Sequence, residues 1–181
     1  MDIIVCAKFI QGELNPFDAA ALECALEIAE NTENISYKKH TQVTKSTPNT
    51  KISILAMGPI SWIEPMTRLT RLGRNANLRA ILLSDPTFAS SDTLATSRIL
   101  AKAIQKLTSN SQNLTLSCMT HENMHQSEIS ENVWVFCGRQ TIDGDTAQVG
   151  PELSVLLRWH LATNCMELPN VFGASVGDKI Q

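Results

Sequence analysis

The chain has 181 residues, 43% of them apolar and 18% charged, enough to enclose a sizeable core in one domain. A net charge of -3 with a pI near 5.8, and no basic patch, argues against nucleic acid or an anionic membrane as the main partner. No apolar run approaches the roughly 20 residues that span a bilayer, and the opening MDIIVCAKFI has neither the charged lead nor the cleavage site of a signal peptide.

Residues 3–6 read as the first strand. Asn15 then suits a helix N-cap and Pro16 the first helical position, where its missing N–H costs nothing. Phe17, Ala21, Cys24, Ala25 and Ile28 recur at helical spacing, with glutamates opposite. Residues 31–51 hold almost nothing apolar and predict an exposed, mobile connection, in which Lys38, Lys39 and His40 form a solvated surface. Residues 52–57 give a second strand, closed by Gly58-Pro59. Trp62, Ile63, Met66, Leu69 and Leu72 or Gly73 mark a helix packing back on the sheet. Residues 80–83 give a third strand. Asp92 caps the next helix, whose buried face is Leu100, Ala103, Ile104 and Leu107.

Strands alternating with helices imply βαβ units and a parallel sheet covered on both sides. Ligands of such sheets bind beyond the carboxyl ends of the strands, where Cys6, Met57 and Gly138 fall. Five scattered cysteines (Cys6, Cys24, Cys118, Cys137, Cys165), three of them in expected core elements, fit free thiols in a reducing compartment better than disulfides. The expected location is cytoplasmic, or the mitochondrial matrix in a eukaryote.

Residues 109–131 are again polar and contain His121-Glu122-Asn123-Met124-His125, a literal H-E-x-x-H. In a zinc protease the two histidines share one face of a long helix. Here serine, asparagine and glutamine flank the motif without an apolar stripe, and only Cys118 offers a third ligand nearby. It reads as a chance match in a surface loop, and no metal site is expected.

Residues 133–157, VWVFCGRQTIDGDTAQVGPELSVLL, organise the rest. An apolar, β-branched run at 133–137 predicts a buried parallel strand, and Val149, Leu153, Leu156 and Leu157 lie on one helix face. The polar loop between them leaves backbone N–H groups open at the helix start, a site for a phosphate. Gly144 permits positive φ or close approach, and Thr146 is placed to cap the helix and bind an anion. A tight turn in which Asp143 and Asp145 merely cap the helix is an equal reading, since the loop is neither a Walker nor a dinucleotide fingerprint.

CGRQTIDGDTAQVGPEL resembles the signature of the electron transfer flavoprotein β-subunit family, the FixA-type proteins. NPFD followed by ALE-A-LEIAE, and RAILLSD followed by DTLATSR, match the same family in the same order. Residues 158–160 and 162–164 resemble its continuation; beyond Leu168 the resemblance fades, and LPNVFGASVGDKIQ has only a faint likeness to the family's partner-recognition loop.

The resemblance implies a Rossmann-like three-layer α/β domain with a mainly parallel sheet, adenine-nucleotide α-hydrolase-like, as a single domain over residues 1–181. Residues 31–51 and 109–131 would be polar insertions, the link at residues 8–14 would be shortened, and the family's C-terminal portion would be missing. The implied role is an electron carrier rather than an enzyme. In a heterodimer with an α-subunit it would serve acyl-CoA or other dehydrogenases and, indirectly, a quinone reductase. The implied cofactor is AMP or FAD, with FAD shared with the α-subunit. Carried over by position, Cys6 meets the adenine through its backbone. Asn15, Pro16, Phe17 and Asp18 line the nucleoside, with Met57 closing that side. Gly138, Arg139, Gln140 and Thr141 continue the wall, while Asp143, Gly144, Asp145, Thr146, Gln148 and Val149 enclose ribose and phosphate. The alternative is a partner-independent adenine-nucleotide binding or sensing module, or a degenerate paralogue.

Overall fold

The structure, a computed structural model, describes residues 1–39, 50–73, 77–109 and 133–165. His40, the H-E-x-x-H stretch with Cys118, and the segment from Leu168 onward lie outside the described residues. In chain order the elements are β1 (Asp2–Ala7), β2 (Phe9–Ile10), β3 (Glu13–Leu14), α1 (Pro16–Lys39), β4 (Lys51–Met57), α2 (Ile63–Thr70), β5 (Asn77–Leu83), α3 (Thr93–Ser109), β6 (Val133–Cys137) and α4 (Val149–Leu157).

Four strands pair in the order β5-β4-β1-β6, parallel at every junction. Ile3, Val5 and Ala7 stand level with Ile52, Ile54 and Ala56 on one face, covered by Leu22, Ala25, Ile28 and Ala29 of α1 and Met66 of α2. On the other face Ile4, Cys6 and Leu55 pack with Leu100, Ala101 and Ile104 of α3 and Leu153 and Leu157 of α4. Two apolar faces explain why the strands read as runs rather than alternations. Each large aliphatic side chain buried this way stabilises the fold by about 1.5–3 kcal/mol.

Handedness decides which helix covers which face. From β1 to β4 to β5 the chain steps one way across the sheet, so right-handed crossovers put α1 and α2 on the same side. The return from β5 to β6 crosses the other way, and α3 falls on the opposite side with α4. The result is the expected three-layer α/β arrangement.

Several boundaries differ from the sequence expectation. The helix begun at Pro16 continues through the polar residues 31–39 instead of ending in a connection. Once a helix is seated by packed turns, extending it adds one hydrogen bond per residue, so a polar stretch can follow an apolar one. In α2, which follows a 3-10 turn at Ile60–Trp62, Met66 and Pro65 are buried while Ile63 faces outward, as does Leu72 beyond the helix end. β6 is half-exposed throughout rather than buried, since among the described residues β1 is its only neighbour.

The short link at residues 8–14 is itself structured. Phe9 and Ile10 pair antiparallel with Leu14 and Glu13 across Gln11 and Gly12, whose successive positive φ values of 53° and 85° are those of a type I′ hairpin turn. Phe9 is buried, and its ring meets Trp62 at 5.3 Å between centroids, tilted by 53°.

Candidate functional site

β1 and β6 are neighbours in the sheet although most of the chain separates them. Past its end, β1 feeds the hairpin and α1 on one face, while β6 feeds α4 on the other. A crevice therefore opens between Ala7 and Cys137 at the point where the strand order reverses, the place such sheets hold ligands.

Two residues at the start of α1 stitch the walls of this crevice together. Asn15 is fully buried; its Nδ2 donates to the Gln140 carbonyl at 2.9 Å, and its Oδ1 accepts from the Ile142 N–H at 3.4 Å. The helix is started instead by the Asn15 carbonyl, which accepts from Asp18 and Ala19. The expected side-chain cap is thus replaced by a clamp on the loop after β6. Asp18 Oδ2 accepts the Lys8 N–H at 2.9 Å, joining the end of β1 to α1. Burial pushes its carboxyl above the usual value, against the opposing pull of the Lys8, Asn15 and Gly138 hydrogen bonds and the Lys8 charge.

Outside this buried layer the loop is polar. Lys8 Nζ donates to Asp143 Oδ2 at 2.6 Å, with both side chains well exposed, and this hydrogen bond lowers the Asp143 pKa. Gln140 donates from its amide to Asp145, and the Asp145 N–H closes a turn onto the Thr141 carbonyl at 2.8 Å. Positive φ occurs at Asp145 and Ala147, 52° and 54°, and not at Gly144 as expected. Left-handed residues other than glycine are strained by roughly 1–2 kcal/mol each. Gly144 instead matters for space: a Cβ there would lie 3.3 Å from Thr141 Oγ1.

α4 begins at Gln148 without a side-chain cap, so neither Thr146 nor Asp143 and Asp145 caps it. Glu152 N–H bonds the Gln148 carbonyl at 2.9 Å, and Pro151 has no N–H to satisfy. The N–H groups of Val149 and Gly150 find no acceptor among the described residues. Gln148 Oε1 accepts from Thr93 Oγ1 at 3.1 Å, and Glu152 accepts from Thr93 at 3.3 Å and from buried Ser97 at 2.8 Å, which fixes the start of α4 on α3.

Of the remaining residues singled out by sequence, Cys6 is buried on the α3 and α4 side and its thiol is hydrogen-bonded with Cys137. Pro16 and Arg139 are exposed, Phe17 is half-buried, and Val149 packs on the α3 and α4 core. Met57 ends β4, on the far side of β1 from the loop. Sequence reasoning missed Lys8 and Ile142, and missed Thr93, Ser97 and Glu152. Thr93 and Ser97 had a visible signal, hydroxyls four apart on α3 within DTLATSR. Among the described residues, no three His, Cys, Asp or Glu side chains gather as a metal site, and no helix is long and apolar enough to cross a membrane.

No family model matches the chain. It is 33% identical to protein FixA of Azorhizobium caulinodans over 158 residues, 87% of this chain and 43% of that protein. It is 34% identical to the electron transfer flavoprotein subunit beta of Megasphaera elsdenii over 140 residues, 77% of this chain and 39% of that one. The acryloyl-CoA reductase electron transfer subunit gamma of Anaerotignum propionicum is 31% identical over 141 residues, 78% of this chain and 38% of that one. Over most of its length this chain is similar to electron transfer flavoprotein β-subunits and FixA proteins. It spans about two fifths of the length of the curated relatives it matches. In this chain, the stretch resembling the β-subunit signature forms the outer wall of the crevice, while the NPFD stretch forms the inner clamp.

Proposed function

We propose that this chain is a β-subunit-type electron transfer protein that holds an adenine nucleotide, AMP or FAD, in the crevice between β1 and β6. The observation that carries the reading is the open pair of N–H groups at Val149 and Gly150, set behind an exposed loop at a strand-order reversal. A phosphate there meets the positive end of α4. The fit is of backbone donors to an anion, since Asn15 and Asp18 are turned inward and occupied by the chain itself. Their part is to hold the two walls at a fixed separation. The ribose and phosphate fall to the loop at residues 143–149, and the adenine to the strand ends at Cys6 and Met57.

When FAD is bound it supplies the redox chemistry; the chain binds, orients and shields it. No side chain is required as acid, base or nucleophile, so the role is that of a carrier, not a catalyst. The names of its relatives, a subunit beta and an electron transfer subunit of acryloyl-CoA reductase, support pairing with a partner subunit and service to a redox enzyme.

Mass spectrometry of the denatured protein, with and without a co-expressed α-subunit, tests this. A yellow heterodimer with stoichiometric FAD is expected. AMP retained by the chain alone points to the partner-independent nucleotide module. A colourless chain that retains no nucleotide and binds neither AMP nor FAD on titration overturns the reading.

A further inference from the structure

We propose that Lys8 selects phosphorylated ligands over nucleosides by leaving Asp143 for the phosphate, so that the Lys8–Asp143 ion pair bolts the empty crevice. The inference rests on the nucleotide reading above and concerns how that site is regulated.

The charges at the crevice mouth require such a group. Asp143 and Asp145 both lie in the exposed loop that a phosphate would approach. Two carboxylates within a few ångströms repel a phosphate, and a helix terminus offsets that with only about half an elementary charge. Among the described residues, Lys8 is the cation held at this loop by an ion pair, 2.6 Å from Asp143, while Arg139 is exposed beside it in sequence.

The backbone of Lys8 is fixed at both ends. Its N–H is bound by Asp18 and its carbonyl by the Asn15 N–H, each at 2.9 Å. Its side chain is not: Lys8 and Asp143 are 40% and 44% exposed, so the ammonium can swing on its four-carbon stem without any repacking. Lys8 thus has a rigid base and a free head, placed at the mouth by the end of β1. Moving the head from a monoanionic carboxylate to a more highly charged phosphate favours the loaded state, and it frees Asp143 to accept from a ribose hydroxyl. A nucleoside offers nothing in exchange for the broken ion pair.

Calorimetric titration of AMP and adenosine into the wild-type chain, Lys8→Gln, Lys8→Arg and Asp143→Asn at two salt concentrations provides the test. Lys8→Gln should weaken AMP about tenfold, the size of one charge-assisted hydrogen bond, flatten its salt dependence, and leave adenosine binding no weaker, since it removes the bolt as well. Lys8→Arg should retain most of the AMP affinity, and Asp143→Asn should tighten AMP by removing its competitor. Equal weakening of both ligands in Lys8→Gln, or no weakening, overturns the assignment. So does an Asp143→Asn variant that binds AMP no better than wild type, which decides the matter even if Lys8→Gln fails to fold. A wild-type chain that binds neither ligand removes the nucleotide reading and this inference together, an outcome distinct from the others.

Discussion

Gly138 and Asp18 are packed so closely that a Cβ added at the glycine would lie 2.3 Å from the aspartate Oδ1. It would also meet the Phe17 carbonyl carbon at 2.6 Å and the Asp18 nitrogen at 2.7 Å, which are backbone atoms with nowhere to go. The first turn of α1 therefore rests directly on the end of β6. Gly138→Ala should destabilise the fold by about 3 kcal/mol, the upper part of the range for forced overpacking. Gly144→Ala meets only the Thr141 hydroxyl at 3.3 Å and should change stability by less than about 1 kcal/mol. Urea unfolding of the two variants measures the contrast.

Asn15 gives a second contrast, because its amide is read at both ends by the loop. Asn15→Ala leaves the Gln140 carbonyl and the Ile142 N–H without their partner at a part-buried contact, a loss of about 1 kcal/mol. Asn15→Asp keeps the shape but turns an oxygen toward the Gln140 carbonyl and buries a charge. It should be the more damaging of the two at pH 7, and the gap should narrow as pH falls, since a protonated carboxyl can donate where Nδ2 does. Melting temperatures at pH 7 and pH 5 decide it.

Much of this was legible from local pattern. The apolar runs and helical spacings fixed the parallel sheet, and Asp92 caps α3 as expected, its Oδ1 accepting from the Ala95 N–H at 2.7 Å. What the pattern could not show was the use to which each polar residue is put. Asn15 followed by proline reads as a cap, yet its side chain is spent on residues more than a hundred positions away. Gly144 reads as a residue allowing positive φ or close approach, yet Asp145 and Ala147 take the left-handed conformation. Tertiary contacts outvote local preference at both. Lys8 looked like filler between two elements, because the partner that gives it a role lies across the crevice.

Asp18 and Asp143 should shift stability with pH in opposite directions. The folded pKa of Asp18 is raised by burial, so its contribution is fully present below the unfolded value, near 3.9, and is lost as pH rises through the folded value. The stability difference between wild type and Asp18→Asn should therefore shrink as pH rises from about 4. The folded pKa of Asp143 is lowered by the Lys8 hydrogen bond, so its contribution is present above about 3.9 and lost as pH falls through the folded value. The difference between wild type and Asp143→Asn should shrink on acidification, and by little, because solvent screens an exposed pair. Two slopes of the same sign would show that these carboxyls do not sit in the environments described.

Cysteine reactivity provides a last measure of the crevice floor. Cys6 is buried beneath the junction of β1 and β6, and its pKa is raised by its hydrogen bond with Cys137 and by burial. Both factors suppress the thiolate that reacts with alkylating reagents. Cys165 is exposed. Iodoacetamide labelling read by peptide mass spectrometry should modify Cys165 within minutes and Cys6 only at the rate at which the sheet opens. Mild urea should speed Cys6 far more than Cys165, since exposure of Cys6 requires separating α3 and α4 from the sheet. Gly138→Ala, by loosening the contact between α1 and β6, should speed Cys6 labelling in the absence of urea as well. Equal labelling rates for the two cysteines in the native wild-type chain would mean that the end of β1 is open to solvent, and that the crevice has no closed floor.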